Sequence, residues 1–348
     1  MGRRILIWLL MALTLSVGVA CRGVELPAES SVIVTFTTGE PLTRSVSAAA
    51  ADGREIDESG LFIAIANYSG KIVAVYKGAD VPNEIEKLTP SSASQVSIKF
   101  KTIESAGDYT VYAVANSAGL WDLKDGSDDA ELDDFVVDVG ATTSAPRLNG
   151  LEFAELATDT PILDEVDPMP LSAKGTLSVN ESLNGQVELE LLRCVAKIGF
   201  KFKNETGSLL TLNNCNVTIH DINPSQGYLF PQENDATGTP GSLNLITSTT
   251  IVDIDEATEL YGNILVFPSV APVQTVGSRY YCDISFTVNE VSKSFTNLPI
   301  HDRLSRDIPS LGRNQYLQIE TRINTGLDVS FNFEVQDWNE KTESIIFH

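Results

Sequence analysis

Apolar and polar residues alternate with a period of two along most of this chain, and turn residues interrupt the alternation at short intervals. Val32-Ile33-Val34-Thr35-Phe36 is the first such run. Residues 61–66 and 71–76 form two more, joined by Asn67-Tyr68-Ser69-Gly70, which predicts a hairpin turn. Val96-Ser97-Ile98-Lys99-Phe100 and residues 109–115 follow, then a short apolar run at 136–139. Residues 142–149 and 158–170 are rich in Thr, Pro, Asp and Ser, and this shift in composition predicts a boundary near 170. Beyond it the strand pattern resumes at 175–179, 187–192, 195–202, 209–212, 216–222, 264–267, 280–288, 315–323, 327–335 and 343–347. Residues 223–263 read as polar loop with room for one short helix at 255–260, and residues 120–134 have room for another. Nothing has the period of a long amphipathic helix. Many short strands with few helices predict an all-β chain built as two antiparallel β-sandwich domains.

Length fits that division, since 348 residues suit about two domains. The start of the chain reads as an export signal. Met1-Gly2-Arg3-Arg4 is basic, residues 5–20 carry no charge, and Gly18-Val19-Ala20 places small residues before Cys21. This layout suits lipoprotein processing, with Cys21 taking the lipid. Gly18 stands where a Leu is usual, which leaves a plain secretory cleavage or an uncleaved anchor open. The apolar run is shorter than the ~20 residues a spanning helix needs. Acidic residues outnumber basic ones 47 to 24, for a net charge of −23. That argues against nucleic acid and against anionic membrane surfaces, both of which need a basic patch.

Candidate chemistry is sparse. Besides Cys21 the cysteines are Cys194, Cys215 and Cys282, an odd number whose spacing fits no zinc pattern and allows at most one disulfide. The histidines are His220, His301 and His348, with no pair at ligand spacing; His220-Asp221 reads as a structural pair. The Gly-x-Ser-x-Gly, P-loop and dinucleotide glycine patterns are absent. Asp125-Gly126-Ser127-Asp128-Asp129 lacks EF-hand spacing and reads as a solvated acidic turn. No catalytic, cofactor-binding or metal-ligating set emerges, and the chain reads as a non-enzyme.

Several segments together resemble a known family. Leu311-Gly312-Arg313-Asn314-Gln315-Tyr316 leads into an alternating strand, and Val329-Ser330-Phe331-Asn332-Phe333-Glu334-Val335-Gln336-Asp337-Trp338 forms a second that ends in Trp. Arg193-Cys194-Val195-Ala196-Lys197-Ile198, Asp167-Pro168-Met169-Pro170 and the strand from Tyr109 to Asn116 complete the pattern. In this order and spacing they resemble the fimbrillins, the subunits of type V pili in Bacteroidales. The resemblance implies Greek-key, transthyretin-like sandwiches and a role in a cell-surface fimbria that supports adhesion.

It also implies an assembly route. Residues 1–21 would be the lipoprotein signal and 22–44 a tether with a cleavable first strand. Residues 45–170 would be the N-terminal sandwich, and 171–348 the C-terminal sandwich with a terminal donor segment. The precursor would reach the outer membrane through lipid on Cys21. An arginine-specific surface protease would cut between Arg44 and Ser45, in a stretch whose small residues predict accessibility. That would remove the strand carrying Val32, Val34 and Phe36, expected at the edge of its sheet. The vacated groove would take the C-terminal segment of a neighbouring subunit, with Ile345, Ile346 and Phe347 as its apolar side chains. Losing residues 1–44 removes four Arg and three Glu, leaving 20 basic and 44 acidic residues, so charge does not drive assembly. Thr43-Arg44-Ser45 favours a stalk or tip subunit over an anchor. The competing reading is a non-polymerising surface lipoprotein that binds glycan or a host ligand, with Trp121 and Tyr228 as candidate loop aromatics.

Overall fold

The computed structural model describes residues 30–38, 56, 60–78, 85–92, 95–116, 123–125, 128–130, 148, 151–153, 171–224, 227–232, 240–248, 252–254, 260–271, 279–302, 304 and 306–337. They are almost all strand. The first half contributes β1 (Ser31–Thr37), β2 (Phe62–Asn67), β3 (Ile72–Lys77), β4 (Ile85–Ser92), β5 (Gln95–Phe100) and β6 (Gly107–Ala115). It continues with β7 (Leu123–Asp125), β8 (Asp128–Ala130), β9 (Leu151–Phe153), β10 (Leu171–Val179), β11 (Asn184–Glu190) and β12 (Leu192–Arg193). The second half holds β13 (Ala196–Glu205), β14 (Leu210–Pro224), β15 (Pro240–Ser248), β16 (Val252–Ile254), β17 (Leu260–Val266) and β18 (Ser269–Val270). It ends with β19 (Tyr281–Val288), β20 (Val291–Pro299), β21 (Ser310–Leu311), β22 (Gln315–Asn324) and β23 (Val329–Asp337).

Each half is a sandwich of two sheets. In the first, the order β11-β1-β5-β4 faces the order β12-β10-β6-β2-β3. Val32, Val34, Phe36, Ile63, Ile65, Ile98, Phe100, Val111 and Leu177 fill the space between them. In the second, β17-β13-β22-β23 faces β15-β14-β19-β20 over Phe200, Phe202, Val217, Ile284, Phe286 and Ile319. The strand alternation fixes these faces, because a one-residue slip would turn every apolar side chain outward.

The halves share a topology. β1 and β13 each open their sandwich and lie inside a sheet. Each has a parallel neighbour from late in its half, β11 or β22, and an antiparallel neighbour from the middle, β5 or β17. The facing sheets also correspond, β10-β6-β2-β3 matching β20-β19-β14-β15. The two parallel pairs join residues far apart in sequence, and alternation alone carries no trace of them.

Two expectations change. β10 and β11 pair with β6 and β1, so the strands of the first sandwich run to Arg193 and do not stop at 170. A composition shift marks a connection; it does not say whether the chain then returns to the same sheet. Within 120–134, β7 and β8 form a hairpin in place of a helix. Of the helix expected at 255–260, only Leu260 is described, as the start of β17, and the strands expected at 136–139 and 343–347 lie outside the described residues.

A third cluster joins the halves. Phe62, Ala64, Ile72, Tyr112 and Val114 turn away from the first core and pack on Cys194, Val195, Leu229, Phe230 and Phe267. The Tyr112 and Phe230 rings meet edge-on at 5.1 Å. This explains why β2 and the end of β6 read as continuous apolar runs, since both their faces are covered.

Candidate functional site

The sequence FIAIAN-type strands explain the frame; β1 explains the site. Its sequence SVIVTFT alternates so that Val32, Val34 and Phe36 point into the first core, each fully buried. On one side they sit opposite Phe100, Ile98 and Val96 of β5, in antiparallel register. On the other, Val32, Val34 and Phe36 sit opposite Gly185, Val187 and Leu189 of β11, in parallel register. The strand expected at an edge is therefore interior. Its second neighbour comes from about 150 residues away, a separation that no local pattern reports.

Both ends of β1 are pinned. The Ser31 amide donates to the Leu183 carbonyl at 2.9 Å, and the Leu191 amide donates to the Thr37 carbonyl at 2.7 Å. The buried Ser30 hydroxyl accepts from the Ile103 amide at 3.0 Å and donates to the Phe100 carbonyl at 3.4 Å. Midway, Thr35 Oγ1 and Ser97 Oγ share a hydrogen bond of 2.9 Å.

The geometry of β11 makes it dependent on β1. It follows β10 through the turn at Asn180, whose side-chain oxygen accepts from the Ser182 and Asn184 amides, both at 3.0 Å. It then crosses to the opposite sheet. Two glycines permit the tight crossing: a Cβ on Gly175 would stand 2.4 Å from Leu189 Cδ2, and one on Gly185 would stand 2.8 Å from the Ser178 carbonyl oxygen. Among the described residues, the only ladder partner of β11 is β1. Withdrawing β1 would leave a slot with two unpaired rims, one on β5 and one on β11, above an open apolar floor. Such a slot takes an extended strand by main-chain pairing, with alternate side chains filling the floor.

Of the other expected site residues, Cys21, Arg44, Ser45, Ile345, Ile346 and Phe347 lie outside the described residues, so only Val32, Val34 and Phe36 are brought together. Trp121 also lies outside. Tyr228 sits at the junction of the halves, where its carbonyl accepts from Arg313. The two motifs containing Arg193 and Arg313-Asn314 meet at the same junction. Arg193 Nη1 donates to Asn314 Oδ1 at 2.6 Å, and the Asn314 amide donates to the Val195 carbonyl at 3.0 Å. Arg313 Nη1 donates to the Leu229 carbonyl at 3.0 Å. Segments 121 residues apart thus form one polar clamp beneath the shared apolar cluster.

Reactive chemistry does not gather at the slot. Cys194, Cys215 and Cys282 are buried and none is in a disulfide. Burial pushes the Cys215 thiol up to about 11, and burial with the nearby Asp283 carboxylate pushes Cys282 up to about 12, so neither is a nucleophile at neutral pH. His220 pairs with Asp283, not with Asp221: Nε2 lies 3.0 Å from Asp283 Oδ2, while Nδ1 lies 3.0 Å from Ser242 Oγ. The trio spans three neighbouring strands on an exposed sheet face, where it acts as a cross-strand hydrogen-bond chain. The Asn297 amide bonds the other Asp283 oxygen at 2.8 Å and, with His220, holds that carboxyl below its usual value. Among the described residues, no group of three or more His, Cys, Asp or Glu could hold a metal ion.

No curated protein matches the sequence. Several solved structures are similar across most of the chain. A candidate cell-adhesion protein from Bacteroides eggerthii shares 13% identity at a TM-score of 0.47, over 91% of this chain and 98% of that one. A candidate adhesin from Bacteroides thetaiotaomicron shares 13% at 0.46, over 90% and 98%. A fimbrial protein from Bacteroides ovatus shares 10% at 0.31, over 86% of this chain and 51% of that one. Likeness at these levels is too distant to speak for function. The family pattern described as fimbrillin-A associated anchor proteins Mfa1 and Mfa2 matches residues 93–344, well over half of the chain. With that match added to the two-sandwich fold and the enclosed first strand, the chain belongs to the family of fimbrillin-A associated anchor proteins Mfa1 and Mfa2.

Proposed function

We propose that this protein is a structural subunit of a cell-surface fimbria that supports adhesion, and that it assembles by exchanging β1 for a strand from a neighbour. In this reading it is exported as a lipoprotein on Cys21 and reaches the outer membrane. An arginine-specific surface protease then cuts between Arg44 and Ser45, beyond the end of β1. The slot so opened receives the C-terminal segment of the next subunit. The observation that carries the reading is the position of β1, whose buried Val32, Val34 and Phe36 lie between two strands that no other described strand bridges.

The donor must match a period of two. Ile345 and Phe347 fall on one face of an extended segment and Ile346 on the other. Ile345 and Phe347 would take the positions of Val34 and Phe36, leaving Ile346 outside. Repeating the contact head to tail yields an open filament.

A second reading has its own support. The family description names anchor proteins, and an anchor would keep β1, remain uncut at Arg44 and hold the fimbria to the membrane through Cys21. Mass spectrometry of the N-terminus of protein taken from the cell surface separates the two. A start at Ser45, with ladders of high molecular weight on mild heating, supports the exchanging subunit. A lipidated start at Cys21 with no ladder overturns it and supports the anchor.

A further inference from the structure

We infer that the outer edge of β23 is a self-pairing surface, through which two copies of this chain associate side by side. This goes beyond strand exchange at β1 and does not depend on it.

On one side the second sandwich ends in two edge strands, β20 and β23, and only one of these two is protected against pairing. β20 carries Lys293, a left-handed break at Asn297 (φ 53) and a closing Pro299, all devices that block an added strand. β23 is nine residues long, VSFNFEVQD, with no Lys, Pro or Gly. Among the described residues its only ladder partner is β22. The apolar residues beneath this edge are incompletely covered. Val329, Phe331 and Val335 are only partly buried, as are Phe295 and Leu298 of β20, while Ile319 and Leu317 on β22 are fully buried. Phe295 and Phe331 meet edge-on at 4.9 Å, at the mouth of this seam.

The central part of β23, Ser330 to Gln336, is complementary to itself. An antiparallel pair centred on Phe333 places Phe331 opposite Val335, Asn332 opposite Glu334 and Ser330 opposite Gln336. Phe331–Val335 sets apolar on apolar, Asn332–Glu334 and Ser330–Gln336 set polar on polar, the end pair sets Val329 against Asp337, and no carboxylate faces another. In a chain of net charge −23 that is a demanding condition, because like charges directly opposite destabilise a pair. The contact would be isologous. It would join two four-stranded sheets into one and cover the half-buried seam of both copies. A single strand pair buries less than a standard interface, so the dimer should be weak and depend on protein concentration.

The test is sedimentation of the chain from Arg22 to His348, which keeps β1 and so cannot polymerise by exchange. The native chain should show a concentration-dependent dimer. Two variants then read the register on the solvent-facing side. In S330E/Q336K each Glu faces a Lys across the dimer axis; in S330E/Q336E each Glu faces a Glu. Both place the same Glu beside Arg322, the β22 partner of Ser330, so an effect within the monomer is largely shared. The first should dimerise more tightly than the second by on the order of tenfold, from two symmetric pairs. A monomer at every concentration overturns the proposal, as does equal affinity in the two variants. A dimer that forms only after residues 343–348 are removed also overturns it, since the chain's own tail would then be the occupant of the edge.

Discussion

Removing β1 should unfold the first sandwich unless another strand replaces it. Val32, Val34 and Phe36 are fully buried, and burial of each stabilises by about 1.5–3 kcal/mol. Together they contribute about 4.5–9 kcal/mol before any main-chain pairing is counted. Whole domains are stable by roughly 5–15 kcal/mol, so the loss is comparable to the whole. The smaller perturbation Phe36→Ala should cost about 3–5 kcal/mol, which for a sandwich of this size lowers Tm by about 10 °C. The assay is thermal unfolding, followed by tyrosine and tryptophan signals, of the chain starting at Arg22 and of the chain starting at Ser45. The shorter chain should lose the transition of the first sandwich while the second still melts cooperatively. A synthetic peptide of residues 30–38 should restore the lost transition, and the same peptide carrying Phe36→Asp should not. An unchanged first transition in the chain starting at Ser45 would refute the reasoning, as would equal rescue by both peptides.

Three further outcomes follow from other parts of the molecule. Ile345→Asp or Phe347→Asp should abolish ladder formation by the cut subunit, while Ile346→Asp should reduce it far less; equal loss in all three on a denaturant-free gel would contradict the assigned face. Burial pushes the Glu320 carboxyl up, but its bonds to Lys201 (2.8 Å) and Arg322 more than reverse this and hold it below its usual value. Its contribution is therefore present above about pH 4.5 and is lost as pH falls through the lowered folded value. Glu320→Gln should cost about 1–3 kcal/mol at pH 7, Arg322 being partly exposed, and should flatten the acid limb of denaturant stability. At the junction, Asn314 stands at φ 57, so Asn314→Gly keeps the backbone and removes only the amide that accepts from Arg193. Loss of that buried bond should cost about 1–3 kcal/mol and separate the melting of the two halves in calorimetry, whereas a single unchanged transition would show that the clamp does not couple them.

Strands were legible where one face is buried and the other wet. β3, β5 and β19 alternate cleanly, and their side-chain period alone locates them. The pairing was not legible, for a physical reason. Val32 and Gly185 are neighbours because β11 crosses between sheets at two glycines, and a glycine in a strand looks the same in sequence whether it marks a crossing, a bulge or a turn. The expectation that β1 lay at an edge failed on that one partner. The junction was half legible. Arg193 and Asn314 were each visible as part of a motif, but nothing in either segment names the other. Their hydrogen bond exists only because β12 runs directly into β13, which brings the parallel strand β22 and the turn before it alongside.

The repeated topology gives the two halves different fates. β13 occupies in the second sandwich the place that β1 occupies in the first, between a parallel and an antiparallel neighbour. Yet β13 cannot be excised in the same way. It is continuous with β12 on one side, and on the other it enters a tight turn closed by Asn204. That side chain donates to the Ser208 carbonyl at 2.6 Å and accepts from the Thr206 amide at 2.9 Å. A protease needs an extended, accessible stretch, and this turn offers none. β1 is joined to the rest of the chain by the long segment between Thr38 and Leu61, which contains Arg44 and Arg54, and it is otherwise held by non-covalent contacts: ladder pairing, core packing and the Ser30 and Thr35 side-chain bonds. Under the proposed cleavage, one cut would release it whole. Under the proposed exchange the slot would be replaceable in the first half and permanent in the second, as head-to-tail assembly would require: one half that accepts a strand, and one whose own slot stays filled.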